Sequence, residues 1–469
     1  VFFHQLIHDD LGCACYVLGA AGRAVVVDPG LDVDAILAVA AQERAQVELI
    51  LETHVHADHV SGRDLLARRT GARVRVPAGG EVDAGAGEPM RAGEIEQLAG
   101  VRLEAIAAPG HRPEHLAFAV SDLERSPEPW LLLSGDSLLV GDLARPDLAI
   151  EPQAGSAQLH DTLARLRELG DHVEVWPGHV GGSLCGGPGL AAKRSSTIGY
   201  ERRANPLLDD DDIEGFTRRL MAELPTRPPT VTRVVARNRA ARPLPDSAPP
   251  VLDAPALAEA LDAGAVLIDG RDADAFDAAH RAGAINLPLG GQGLGTRAGW
   301  LLGPDDVLVT LADDERQARV LARLLAAVGL DVRGVAAADA QTAGGELVSV
   351  PAIPVQRLDR DGAAATLIDV RDDREWRAGH VPGSVHLPMP RWRGAAREVP
   401  AGALAVACAN GPRAAIVASW LRRGGRPATR VSGGGIGDLL AARRSLRAPG
   451  EQLRQRGELA GQRGGDLLG

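Results

Sequence analysis

Two stretches of the chain read almost alike. "LIDGRDADAFDAAHRAGAINLPL" begins at Leu267 and "LIDVRDDREWRAGHVPGSVHLPM" at Leu367. They align without a gap across Asp269/Asp369, Arg271/Arg371, His280/His380, Gly283/Gly383 and Pro288/Pro388. A spacing of this length is too long for a solenoid, whose periods run roughly 20–50 residues, so one domain has been written twice. The copies occupy 251–348 and 352–448, joined by "SVPAIPVQ". Ahead of them lies a separate fold over 1–241, then the Pro-rich linker "RPLPDSAPP" (242–250). The polar, Gly/Arg-rich tail at 449–469 is expected to fray.

In the first 241 residues, short β-branched and leucine-rich runs recur: "RAVVVDPG", "VELILETH", "PWLLLSGDSLLVGD" and "HVEVWPGH". Helical patterns over Val33–Gln46 and Ala157–Leu169 lie between them, so the expected class is a layered α/β fold. In each run the polar residues come at the strand end. Strand ends on one sheet edge are where α/β proteins place their sites, so Asp28, His54, Asp136 and His179 are expected to converge. A net charge of −11 argues against a nucleic-acid binder. No apolar run is long enough for a membrane span, and no basic-then-apolar leader opens the chain. The four cysteines (Cys13, Cys15, Cys185, Cys408) are too few and scattered for a disulfide framework. A cytoplasmic protein with reduced thiols is expected, assembled as a homo-oligomer.

"LETHVHADHVSG" (Leu51–Gly62) concentrates metal-type side chains: His54, His56, Asp58 and His59. Neutral imidazole nitrogens and carboxylates are metal donors, but one loop rarely closes a site. "PGHRPEH" offers His111 and His115, "SGDSLL" offers Asp136, and the later "PGH" offers His179. His4, His8, His160 and His172 read as surface or hydrogen-bonded histidines. The H-x-H-x-D-H pattern with distant His, Asp and His resembles the metallo-β-lactamase fold family over roughly residues 1–240. That resemblance implies an αββα sandwich followed by the two α/β copies.

The family's general cradle holds two zincs with nearly all these residues. "GDSLLVGDLARPDL" (Gly135–Leu148) resembles a narrower branch, the persulfide dioxygenases, which keep one iron. "GSLCGG" and "SSTIGYERRANPLL" resemble the bacterial dioxygenase–rhodanese fusions of that branch. The branch implies one Fe(II) on His54, His111 and Asp136, a facial triad with open positions for substrate and O2. His56, Asp58, His59 and His179 would then hydrogen-bond around the ligands. Arg145 would contact the carrier thiol; the alternative is a surface ion pair. In place of the family's P-G-H-T-P-G-H this chain has Arg112 and Glu114, expected to narrow or recharge the substrate entrance.

"VACANGPRAAIVASWL" sets Cys408 after an apolar run and before a helical pattern. The spacing C-x-x-G-x-R, with Gly411 and Arg413, resembles the rhodanese active-site loop. Such a loop aims backbone N–H groups at the sulfur, and Arg413 would help stabilise a thiolate or its persulfide. In the first copy, "VLVTLADDERQARVLARLL" with Arg316 set against Arg413 puts Leu311 where Cys408 stands. Leucine cannot accept sulfur, so residues 252–346 resemble a rhodanese without its nucleophile, a spacer or docking surface. Cys13 and Cys15 alternate on a strand and read as packed residues, a poor metal pair. Cys185, in a Gly-rich loop after His179, reads as a flexible, exposed auxiliary thiol near the metal cleft that would accept sulfur transiently.

Together these readings imply oxidation of a small thiol persulfide, on glutathione, coenzyme A or a similar carrier, by O2 to sulfite. Cys408 would combine the sulfite with a second sulfane sulfur to give thiosulfate, in sulfide detoxification. The alternatives are a zinc thioester hydrolase of the glyoxalase II type and a non-catalytic sulfur-relay scaffold.

Overall fold

The computed structural model describes residues 1–441 except 184, 209–211, 223, 242–244, 246, 292, 343–345, 359–364 and 395–397. The tail at 449–469 and much of the linker therefore lie outside the described residues. The first domain stacks two six-stranded sheets. One runs in chain order through Phe2–Ile7, Ala14–Ala20, Arg23–Val27, Gln46–Leu51, Arg73–Pro77 and Glu88–Met90. The other runs from Ser196–Thr197 back through Glu174–Pro177, Leu131–Gly135, Leu116–Asp122 and Val101–Ala107 to Ile95–Leu98. The central strands of each sheet, such as Ala14–Ala20 and Leu131–Gly135, are buried on both faces and read as apolar runs, whereas outer ones such as Ile95–Leu98 and Val101–Ala107 alternate. Val25, Val27, Leu49 and Leu51 face Leu103, Phe118, Val120 and Leu133 between the sheets. Val26 and Ile50 point outward, under the helices Val33–Gln42 and Arg63–Thr70. Leu132 and Val175 pack beneath Pro152–Arg167 and Ile213–Met221 on the other side. This is the expected αββα layering.

Two local expectations need correction. The helix from Val33 stops at Gln42, not Gln46, because Arg44 turns to φ +52 and Gln46 opens the next strand, its N–H donating to Gly22 O at 2.8 Å. "PWLLLSGDSLLVGD" is a strand only as far as Gly135; beyond it Ser134 Oγ donates to Leu138 O at 2.7 Å and closes a turn. Gly135 itself must be glycine: it has φ +51, and a Cβ would stand 2.6 Å from His115 Nε2.

The two copies are parallel α/β sheets of the same order. The first runs Ile285–Asn286, Val266–Asp269, Val307–Ala312, Asp331–Ala337. The second runs Val385–His386, Thr366–Asp369, Leu404–Ala407, Ala428–Ser432, with Ile353–Pro354 added beyond. The repeated residues make one latch twice. Arg271 grips Asp269 (Nη2–Oδ2 2.6 Å) and donates to Ala279 O; Arg371 grips Asp369 (2.7 Å) and donates to Gly379 O. His280 stacks on Phe276 at 3.8 Å and His380 on Trp376 at 3.9 Å. The repeat therefore records residues that hold the fold.

The three units share one apolar cluster. It runs from Leu11 and Cys13 through Ile268, Trp300 and Leu301 to Ile368, Trp392 and Val417. Asp10 of the first domain caps the helix Leu294–Leu301 of the first copy, accepting from Leu294 N at 2.6 Å and Gly295 N at 3.0 Å. Among the described residues no helix is long and apolar enough to cross a membrane.

Candidate functional site

Asp28, His54, Asp136 and His179 do meet, each just past the end of its strand. Asp28 takes φ +53, a conformation Asp tolerates better than most residues. Its carboxylate accepts from Thr53 N at 2.7 Å and Thr53 Oγ at 2.8 Å. With its proton given to Asp28, Thr53 Oγ accepts from His54 Nδ1 at 2.9 Å. His111 Nδ1 donates to Arg145 O at 2.9 Å. Both imidazoles thus carry their proton on Nδ1 and turn a bare Nε2 toward Asp136. Asp136 Oδ2 lies 3.9 Å from His54 Nε2 and 3.4 Å from His111 Nε2. All three atoms are buried without a hydrogen-bond partner. Burial, followed for His54 by repulsion from His56, lowers the pKa of both histidines and keeps them neutral. Three orphaned donors of this kind around one point fit a metal ion.

The other loop histidines point elsewhere. His56 Nε2 sits between Glu52 (3.0 Å) and Asp28 (3.2 Å). Burial and His59 oppose its charge, but the two carboxylates prevail and raise its pKa to about 9. His179 bridges Asp136 (Nδ1–Oδ1 2.7 Å) and Asp58 (Nε2–Oδ2 2.8 Å). His59 Nδ1 bonds Asp58 at 3.1 Å. Cys13, Asp58 and His59 form one further group able to hold a cation, and Asp58, His179 and Cys185 another. Cys13 thus enters a metal-type group without Cys15, which faces the outer helices. His115 Nε2 accepts from Asp136 N at 2.8 Å, so it positions the carboxylate. Burial drops its pKa to about 3.

Three expectations about neighbouring residues change. Arg145 is buried, not at the surface, and is clasped by Asp147 (2.7 and 2.8 Å). Arg112 and Glu114 are buried and pair with each other at 3.0 Å, and Glu114 also accepts from Val55 N, so they brace the loop that carries His54. Cys185 is neither loose nor exposed: it is 2% accessible, Arg145 N donates to its carbonyl at 2.9 Å, and burial pushes its thiol up to about 12.

Cys408 lies just past the strand Leu404–Ala407, before the helix Pro412–Arg423. Gly411, at φ +107, turns its N–H onto Cys408 Sγ at 3.1 Å, a turn that favours glycine. Arg413 is held by both oxygens of Glu375 (2.6 and 2.7 Å). The first copy's counterpart is not Leu311. Leu311 pairs with Asp269 as Ala407 pairs with Asp369, so Ala312 stands where Cys408 does. The loop from there to the helix is one residue shorter, which is why aligning the arginines shifted the match by one. Neither residue offers a thiol.

One cavity of about 330 Å³ opens onto all three units. Asp58, Arg145 and Cys185 line it from the metal side, Arg297 and Trp300 from the first copy, and Arg413 from the second.

Residues 8–179 match the metallo-beta-lactamase superfamily and residues 355–441 a rhodanese-like domain. The hydroxyacylglutathione hydrolase of Rhodobacter capsulatus is 32% identical over 224 residues, covering 41% of this chain and 80% of that one. The chain belongs to the metallo-beta-lactamase superfamily. With the hydroxyacylglutathione hydrolase of Chromohalobacter salexigens it shares 33% identity over 160 residues, 34% of this chain and 58% of the relative's length. A metallo-beta-lactamase structure from Staphylococcus aureus superposes with a TM-score of 0.62 at 26% identity, over 72% of this chain and 98% of that one.

Sequence reading missed Asn238, which holds the superfamily's metal loop in shape. Its Nδ2 donates to His56 O (2.9 Å) and His59 O (2.8 Å), and its Oδ1 accepts from Ser61 N (2.9 Å). It also missed Glu52 and Glu375. Each was an ordinary acid in the sequence, and its partner across the fold gives it its role.

Proposed function

We propose that the chain oxidises the outer sulfur of a small thiol persulfide with O2 at an iron held by His54, His111 and Asp136. Sulfite and the free thiol are the products: RSS⁻ + O2 + H2O gives RS⁻ + SO3²⁻ + 2 H⁺. Cys408 then transfers a second sulfane sulfur to sulfite, forming thiosulfate. The observation that carries this reading is the trio of unpartnered, mutually close donor atoms on His54, His111 and Asp136, with His56 turned instead to Asp28 and Glu52. Two imidazoles and one carboxylate are the donor set of non-haem iron oxygenases. Iron(II), when bound there, supplies open coordination positions and the electrons that activate O2. Around it the chain's own groups orient the donors: Thr53 and the Arg145 carbonyl fix the imidazole tautomers, and His115 and His179 fix the carboxylate. Arg413, five residues after Cys408, lines the same cavity as Asp58, Arg145 and Cys185 of the metal-side domain, which supports a passage of sulfur species between the two centres.

A second reading has its own support. The curated relatives are named hydroxyacylglutathione hydrolases, and Asp58, His59 and His179 lie where a second cation could bind. That reading is a zinc hydrolase of a glutathione thioester. Metal analysis of the purified chain, with O2 uptake on glutathione persulfide, separates the two. About one iron per chain with O2 consumption and sulfite release is expected. Two zincs with thioester turnover and no O2 uptake would overturn the proposal.

A further inference from the structure

The shared cavity contains three arginines, and they are not alike. Arg145 is neutralised by Asp147 and Arg413 by Glu375. Arg297, contributed by the copy without a thiol, makes no side-chain hydrogen bond or ion pair among the described residues. The nearby acid Asp10 already spends both oxygens on the N–H groups of Leu294 and Gly295. Arg297 is half-buried in the wall, with Trp300 of the same helix beside it in the lining. Burial, with Arg413 adding like-charge repulsion, lowers its pKa, while Asp10, Cys408 and Glu375 act on it from a distance. A partly desolvated cation without a counter-ion is costly unless a ligand supplies one. An anion in the cavity, between Arg297 and the Arg413 that follows Cys408 at the start of its helix, would do so.

We propose that Arg297 is the oxyanion-binding residue of this chamber and holds sulfite beside Cys408, so that the copy lacking the nucleophile supplies the acceptor site for the copy that has it. This rests on the sulfur-transfer reading above. In the step served, sulfite's sulfur lone pair attacks the outer sulfur of the Cys408 persulfide. The Cys408 S–S bond breaks, a new S–S bond forms, and the thiolate leaves: Cys–S–S⁻ + SO3²⁻ gives Cys–S⁻ + S2O3²⁻. Charge balances and no proton moves. Loading the persulfide is the matching exchange, RSS⁻ + Cys–S⁻ giving RS⁻ + Cys–S–S⁻.

The test runs without O2, which silences oxidation, and supplies both glutathione persulfide and sulfite to the intact metal-loaded protein. Arg297→Gln is expected to raise the KM for sulfite about tenfold or more, the scale of a lost charge-assisted hydrogen bond. The kcat should change little, and Arg297→Lys should recover part of the affinity. Cyanide, mostly uncharged HCN at neutral pH, should be used as acceptor with unchanged KM. An unchanged sulfite KM overturns the inference, and so does an equal rise for sulfite and cyanide, which would mean a damaged loop. A native protein that makes no thiosulfate at all in this assay instead refutes the sulfur-transfer reading itself.

Discussion

The two copies keep the same latch and differ in what they place at the start of one helix. In the second, Cys408, Ala409, Asn410 and Gly411 lead into the helix at Pro412, and the Gly411 N–H points at sulfur. In the first, Ala312 is followed by Asp313 and Asp314, and the Asp314 side chain accepts from Gln317 N at 2.8 Å. Each helix start attracts negative charge. One copy turns it on its own cysteine sulfur, whereas the other fills it with a carboxylate. The Asp–Arg clasp and the His–aromatic stack survive in both. The lesson is that the fold is specified by residues that take no part in the proposed chemistry. A copy can therefore lose its reaction, keep its shape and turn its surface to another use.

The largest effect should come from Cys408→Ser. If only the second copy transfers sulfur, thiosulfate formation falls to background while sulfite production from glutathione persulfide stays within about twofold, because the metal site is untouched. Product analysis on the one variant reads both. Residual thiosulfate synthesis would break the comparison, since it would need a second nucleophile. Loss of both products would refute the proposed division of labour.

A second difference is electrostatic. Burial pulls His280 in the first copy down to a pKa of about 4, whereas His380 in the second copy is exposed. An unfolded histidine titrates near 6.5, so between these values the unfolded chain binds more protons than the folded one. The contribution of neutral His280 is therefore whole above about pH 6.5 and shrinks as pH falls toward 4. At pH 5 the loss should be on the order of 2 kcal/mol, read as faster amide exchange in the strand Val266–Asp269. His280→Asn keeps a donor for Phe276 O and should flatten this dependence. An equally steep pH dependence in that variant would sink the assignment.

How much of this could be read in advance depended on distance along the chain. The strand-end residues were legible because an apolar run closing on Asp or His is a local pattern, and the repeat because it aligns with itself. Long-range pairings were not. Asn238 braces a loop at His56–Ser61, and Asp10 caps a helix beginning at Leu294. Neither residue has a neighbour in sequence that hints at its partner. Cys185 looked loose because glycines surround it, yet burial is set by what packs over a loop. The Leu311 error came from a one-residue difference in loop length, which strand register exposes and residue matching hides.

The smallest effect concerns how the first copy is attached. Asp10 satisfies two otherwise unpaired N–H groups at a helix start, a contact across domains of the kind a local Asp normally makes. Asp10→Ala should cost about 1 kcal/mol at that helix, seen as roughly fivefold faster exchange of the Leu294 and Gly295 amides. Asp10→Asn, which keeps an acceptor, should lose less. Amides of the second copy's helix Pro412–Arg423 should not respond, because Asp10 touches only the first. Faster exchange in both helices would mean that the two copies open as one unit. The first copy would then be a structural part of the second rather than a separately docked wall of the chamber.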